Sequence, residues 1–277
     1  MPETAAPEAP PASPTPREEM PAMSFLQHLE ELRLRIFRAL IGLAAGFGVA
    51  WWYHEQIYRV MEHPIVQVLR KYKMDEKLVY THPVDPFDIY MKVALVAGLF
   101  LASPWVLYQV WAFVAPGLYR NEKRYVFPFL LSTVVLFVTG GLFGYFLVYP
   151  AALDFLIGNM GAQFKAMITV KEYTSLFLSI IIGMGIVFEM PILAFFLGLM
   201  GVISPGWMWR NFRYAILGIF IVAAIVTPTP DVINMCIFAA PMLALYVVSI
   251  AVVWAVHPRR RRQRREEAAA AAGKAAE

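Results

Sequence analysis

Four acids have the clearest capacity for specific chemistry: Glu31, Glu122, Glu189 and Asp231, each beside a different structural cue. Glu31 stands four residues before Arg35, the spacing of an ion pair on one helix face. Glu122 sits among Arg120, Lys123 and Arg124 in "APGLYRNEKRY". Glu189 lies inside the apolar stretch "GIVFEMPI", two residues before Pro191. Asp231 ends "TPTPD" and is placed to cap the helix that follows it. A carboxylate can hold a cationic ligand, but none of these has a serine, cysteine or histidine arranged as a nucleophile with its base. The five histidines (28, 54, 63, 82 and 257) have no metal-ligand spacing, and Cys236 is the single cysteine, so neither a disulfide within the chain nor a cysteine cluster is available. The expectation is a non-enzyme with no cofactor, no metal and no nucleic-acid partner.

The elements that must position these acids are membrane helices. Of 277 residues, 59% are apolar and only 16% charged, far from the balance of a soluble domain. Crossing about 30 Å of hydrocarbon takes roughly 20 apolar residues in a helix. Runs of that kind occur near 36–53, 93–115, 125–149, 175–200, 212–227 and 232–255. The reading is an all-α integral membrane protein with six transmembrane helices, and an even number puts both ends on one side. Sixteen of the 24 Lys and Arg residues fall on the side that holds the termini, which predicts both termini cytoplasmic in a prokaryotic inner membrane. Residues 1–22 read as a disordered tail without a cleavable signal, 23–257 as the membrane domain, and 258–277 as a basic tail.

Local signals refine this picture. "SFLQHLEELRLRIF" reads as an amphipathic helix leading into the first span, with Glu31 and Arg35 paired on one face. Pro104 and Pro241 each remove a backbone donor from the second and sixth spans and should bend them. The fifth span, at about 24 Å, is shorter than the bilayer it crosses, and "TPTPD" forces it into a hairpin with the sixth. Bent, uneven helices predict a concave bundle. Two readings of Glu189 stand: a protonated or hydrogen-bonded acid gluing helices together, or an intramembrane polar site that meets a partner or cargo.

In their order along six spans, "HLEELRLR", "SPWVLYQVWAFVAPGLYRNEKR", "FEMP" and "TPTPD" resemble the TatC family, multispanning receptor subunits of the twin-arginine protein translocase. The likeness covers about Ser24 to Val256. It implies a protein that captures twin-arginine signal peptides of folded precursors and nucleates a multimeric complex with single-span TatA and TatB subunits, driven by the protonmotive force. By motif, the arginine-binding acids correspond to Glu31 and Glu122, with Phe113 beside them and the neighbouring Arg33 and Arg120 grouped with them. Two guanidinium groups need two carboxylates, since a fork of N–H donors matches a carboxylate as a lysine does not. Glu189 corresponds to the family's polar point in the concave face. Pro64 in "EHPI" matches a functionally sensitive proline of the first outer loop. Pro104, Thr227, Asp231 and Asn234 are grouped with Pro64 as partner-docking or structural positions. This chain departs from the family's frequent "TPPD" by one residue and carries Met235 where a polar residue is often found. The alternative from a different class is a proton-coupled secondary transporter using Glu189, and it calls for an inverted repeat that the two halves of the chain do not display.

Overall fold

In hydrocarbon a lone segment satisfies its own backbone only as a helix, and the apolar runs of this chain fold accordingly. The computed structural model describes residues 25–75, 77–114, 126–161, 167–226 and 232–256. Both tails, and the expectations placed on Arg120, Glu122, Thr227 and Asp231, lie outside the described residues. Helix α1 runs Phe25–Trp52, α2 His54–Lys71 and α3 Asp85–Val114. Helix α4 (Val126–Phe143) continues through a π-helical segment Gly144–Val148, a short α5 (Tyr149–Leu153) and a second π segment Asp154–Met160. Then follow α6 (Val170–Val187), α7 (Met190–Leu199), α8 (Pro205–Arg210), α9 (Phe212–Val226) and α10 (Val232–Val256). Five of the continuous helical stretches are long and apolar enough to cross a membrane, and α9 is a shorter apolar helix. The protein is all-α with an uneven set of apolar helices.

The amphipathic start and the first span are one helix, α1, which at 28 residues is about 42 Å long. It lies along α3, and glycine makes the approach possible. A Cβ on Gly46 would stand 2.5 Å from the Gly98 carbonyl oxygen, and one on Gly98 would stand 2.6 Å from the Phe47 nitrogen. Further along the bundle α4 meets α6 in the same way, where a Cβ on Gly140 would fall 2.5 Å from the Met184 oxygen.

Two features go beyond the sequence reading. The segment after the first span holds a helix, α2, over most of its length. Its buried stripe of Met61, Pro64, Ile65, Val68 and Leu69 joins the main core with α3, α5, α6 and α10. The helices also overrun the expected spans: α3 begins at Asp85, the third helical stretch continues to Met160, and α6 begins at Val170. Thr169 caps α6 by accepting from the Glu172 amide at 3.3 Å.

Pro64 sits inside α2 and cannot donate to the carbonyl four residues earlier, that of Val60. The Tyr145 hydroxyl, from the first π segment, donates to that oxygen at 2.8 Å. One residue on, the buried Tyr173 hydroxyl of α6 donates to the Met61 carbonyl. At the far end of α2 the Lys71 ammonium and the Tyr72 hydroxyl donate to Asp154 at 2.6 and 2.9 Å. The bond to Asp154 raises the Lys71 pKa above its ordinary value, and burial pushes the Tyr58 phenol up to about 12. Helix α2 is therefore a lid bolted to the π-helical part of the third stretch.

Candidate functional site

Positions 28, 31, 35, 38, 42 and 46 follow one another at three- and four-residue steps, so they share a stripe of α1. Contacts show that this stripe faces α3. His28 stacks on Phe113 with ring centroids 4.4 Å apart and planes 17° from parallel. The Trp105 indole N–H donates to the Arg38 carbonyl at 2.8 Å. The same indole lies over Gly42, where a Cβ would fall 2.2 Å from the ring. The start of α1 is thus clamped to the end of α3 at two levels, and Glu31 and Arg35 lie between them.

The ion pair read from the sequence is present. Arg35 Nε and Nη2 both donate to Glu31 Oε1, at 2.9 and 2.6 Å. The two side chains are 19% and 20% exposed, so the pair is sheltered in the seam. Oε2 of Glu31 is buried and has no hydrogen-bond partner among the described residues. Chemically this is a carboxylate already oriented by one guanidinium and still owed a donor.

Phe113 contacts His28, three residues before Glu31 on α1, which places both expected site residues at the same end of the α1–α3 seam. Arg33 is not with them: it is exposed and its guanidinium lies 5.8 Å from the Phe37 ring on another face of α1. Beyond Phe113, Trp111 of α3 meets Phe129 of α4 and Phe196 of α7 at centroid distances of 4.5 and 4.6 Å. This aromatic box ties the last described turn of α3 to α4 and α7. Gln109 was not anticipated. It is 2% exposed, with its Oε1 unpartnered, and the signal for it was a lone amide in the apolar run "WVLYQVWAF".

Glu189 occupies a break between α6 and α7. Pro191 has no N–H to give the Val187 carbonyl, and the helix interrupts at Phe188 and Glu189 before resuming. The Glu189 carbonyl restarts the ladder by accepting from the Ile192 and Leu193 amides at 3.1 and 3.0 Å. The residue is 9% exposed and both carboxyl oxygens are buried without a hydrogen-bond partner among the described residues. A groove of about 470 Å³ between α3, α6 and α9 is walled by Lys92, Ser179, Gly183, Ile186 and Val226 among others. It reaches Ile186, one turn short of Glu189.

Of the remaining expected positions, Pro64 is buried in α2, Pro104 lies within α3 beside Trp105, and Asn234 is fully buried in α10. Among the described residues no group of three or more His, Cys, Asp or Glu side chains is placed to hold a metal ion.

This arrangement has known counterparts. A family model described as Sec-independent protein translocase protein (TatC) matches residues 27–241. A protein of that name from Koribacter versatilis (strain Ellin345) is 62% identical over 243 residues, covering 88% of this chain and 89% of its own. Another, from Aquifex aeolicus (strain VF5), is 37% identical over 230 residues, covering 82% of this chain and 93% of its own. A crystal structure of a twin-arginine translocase receptor, TatC, superposes with a TM-score of 0.73 at 36% identity, over 82% of this chain and 97% of that one. A second, described as in DDM, gives a TM-score of 0.74, also at 36% identity, over 81% of this chain and 98% of that one. From the seam between α1 and α3 to the broken helix at Glu189, the chain belongs to the TatC family of Sec-independent protein translocase proteins.

Proposed function

We propose that this multispanning translocase subunit is the receptor for twin-arginine signal peptides, with Glu31 as one of two acids that hold the arginines. The observation that carries this is the sheltered Glu31 carboxylate, one oxygen engaged and the other without a hydrogen-bond partner among the described residues, three residues from the His28 that stacks on Phe113. A guanidinium is always charged and presents several donors in a plane, so it suits a half-satisfied carboxylate. Glu122 supplies the second acid, Phe113 packs against the apolar flank of the signal, and Arg120 stands beside Glu122. In this reading α9 is the fifth of six spans, α10 is the sixth and both termini are cytoplasmic, as the Lys and Arg distribution favours.

Glu189 serves as the polar point where a partner helix or the signal's apolar segment meets the bundle, since an acid in a membrane helix is costly to keep and this one has no internal partner. Single-span TatA and TatB subunits dock near the α9–α10 hairpin, and the multimeric assembly is driven by the protonmotive force in a prokaryotic inner membrane.

Site-specific photocrosslinking tests the receptor role. Crosslinkers at positions 31 and 122 are expected to label a signal peptide carrying two arginines and to lose that label when both are lysine. Identical labelling of the two peptides overturns the arginine clamp.

A further inference from the structure

We propose that Arg35 is a resident competitor for Glu31, and that this competition sets the preference for arginine over lysine; the inference rests on the receptor reading above. Arg35 lies one helical turn from Glu31 and places both Nε and Nη2 on Oε1. An empty receptor therefore already contains, on its own helix, the kind of group it is to bind.

Two consequences follow from that geometry. First, the pair is electrically neutral, so positive charge alone draws no ligand to this acid. Second, Arg35 is tethered, and a tethered competitor acts at high effective concentration. An arriving group must either take the free Oε2, which is buried and unpartnered, or displace a two-donor contact from Oε1. A guanidinium can do either, because its fork spans both oxygens. An ammonium is a point charge with strong hydration and no planar fork, so it has less to offer against the incumbent.

The clamps on either side give the competition its rigidity. His28 on Phe113 and Arg38 on Trp105 hold the backbone of this turn against α3. The carboxylate thus exchanges partners without the helix moving. Arg33 faces away and lies against the Phe37 ring, so it is not the competitor, and Arg33→Gln is the matched control for removing one charge from this helix.

The test uses the full chain in lipid nanodiscs with two synthetic peptides, a twin-arginine signal and the same signal with two lysines, at several salt concentrations. For Arg35→Gln the expected result is that the twin-lysine peptide binds more tightly and the affinity ratio between the peptides contracts by about tenfold, the worth of one charge-assisted hydrogen bond. Arg35→Lys keeps the charge and weakens the fork, so the ratio contracts by a smaller factor. Arg33→Gln leaves the ratio unchanged. If Arg35→Gln does not fold, Arg35→Lys decides the matter. An unaltered ratio in the variant that folds, or the same contraction in Arg33→Gln, overturns the proposal. A wild-type chain that binds both peptides equally, or neither, instead overturns the receptor reading, so the two failures are distinct.

Discussion

At the scale of single residues, a half-buried and a buried carboxylate behave differently because Glu31 is held by Arg35 while Glu189 has no hydrogen-bond partner among the described residues. On the receptor reading, replacing Glu31 removes an interaction that the signal peptide shares with Arg35. Glu31→Gln is expected to weaken binding of a twin-arginine peptide by roughly 10- to 150-fold, since hydrogen bonds to charged groups are worth about 1.5–3 kcal/mol. Isothermal titration with the purified chain measures it, and an effect under threefold would mean that Glu31 does not touch the peptide. Glu189 has no internal hydrogen-bond partner for either oxygen, and leaving a buried polar group unpaired costs about 1–3 kcal/mol. Glu189→Leu is therefore expected to raise the thermal midpoint in detergent while export of a twin-arginine precursor falls. A lowered midpoint shows that the acid is part of the packing rather than a position reserved for a partner. The sequence displayed the Glu31–Arg35 pair through its spacing and Glu189 through its surroundings. It could not display which oxygen Arg35 takes, nor that His28 meets Phe113, because those facts arise from two helices lying side by side.

At the scale of elements, the fold stands on places where helical hydrogen bonding fails and another helix makes good the loss. Pro64 deprives the Val60 carbonyl of its helical donor and Tyr145 replaces it. A double-mutant cycle isolates the effect. Tyr145→Phe is expected to cost about 1 kcal/mol, the net worth of an ordinary hydrogen bond. In a Pro64→Ala background the same change costs less than half as much, because the backbone N–H restored at position 64 reclaims the carbonyl. Equal costs in both backgrounds would show that the tyrosine holds α2 by packing alone. Tyr173→Phe, which strips a buried carbonyl rather than one at the surface, is expected to cost about 1–3 kcal/mol by equilibrium unfolding. Long apolar runs made α1, α3, α4, α6, α9 and α10 legible. Helix α2 was hidden because it is too polar on average to stand out as an apolar run and carries a proline inside, a usual mark of a loop. The π segments after α4 have no sequence period of their own, so "GYFLV" and "DFLIGNM" read as ordinary helix or loop. The break after α6 was not read from the sequence, where a single span covers 175–200; its position at Phe188 and Glu189 follows from the missing N–H of Pro191.

At the scale of the whole molecule, helix length sets how the protein sits in lipid. Helix α9 has 15 residues, about 22 Å against roughly 30 Å of hydrocarbon, while α10 beside it has 25 residues, about 38 Å. With α9 as a span, as proposed above, a bilayer cannot match both: it thins at α9, or α9 hides its short end against partners, each at fractions of a kcal/mol per Å of mismatch. The groove between α3, α6 and α9 opens on this same side, with Ile225 and Val226 from the end of α9 in its wall. On this proposal thinned lipid and the groove coincide, so that a segment entering there would cross less hydrocarbon than elsewhere. Reconstitution in phosphatidylcholines of graded acyl length tests this. Signal-peptide binding and thermal stability are expected to be greatest in chains shorter than those of an average membrane and to decline as the bilayer thickens. Adding three leucines within α9 is expected to move the optimum toward thicker lipid by about 4–5 Å, the rise of three helical residues. An optimum that stays where it was after the insertion shows that α9 does not set the local thickness, and the groove must then be reached through a bilayer of ordinary depth.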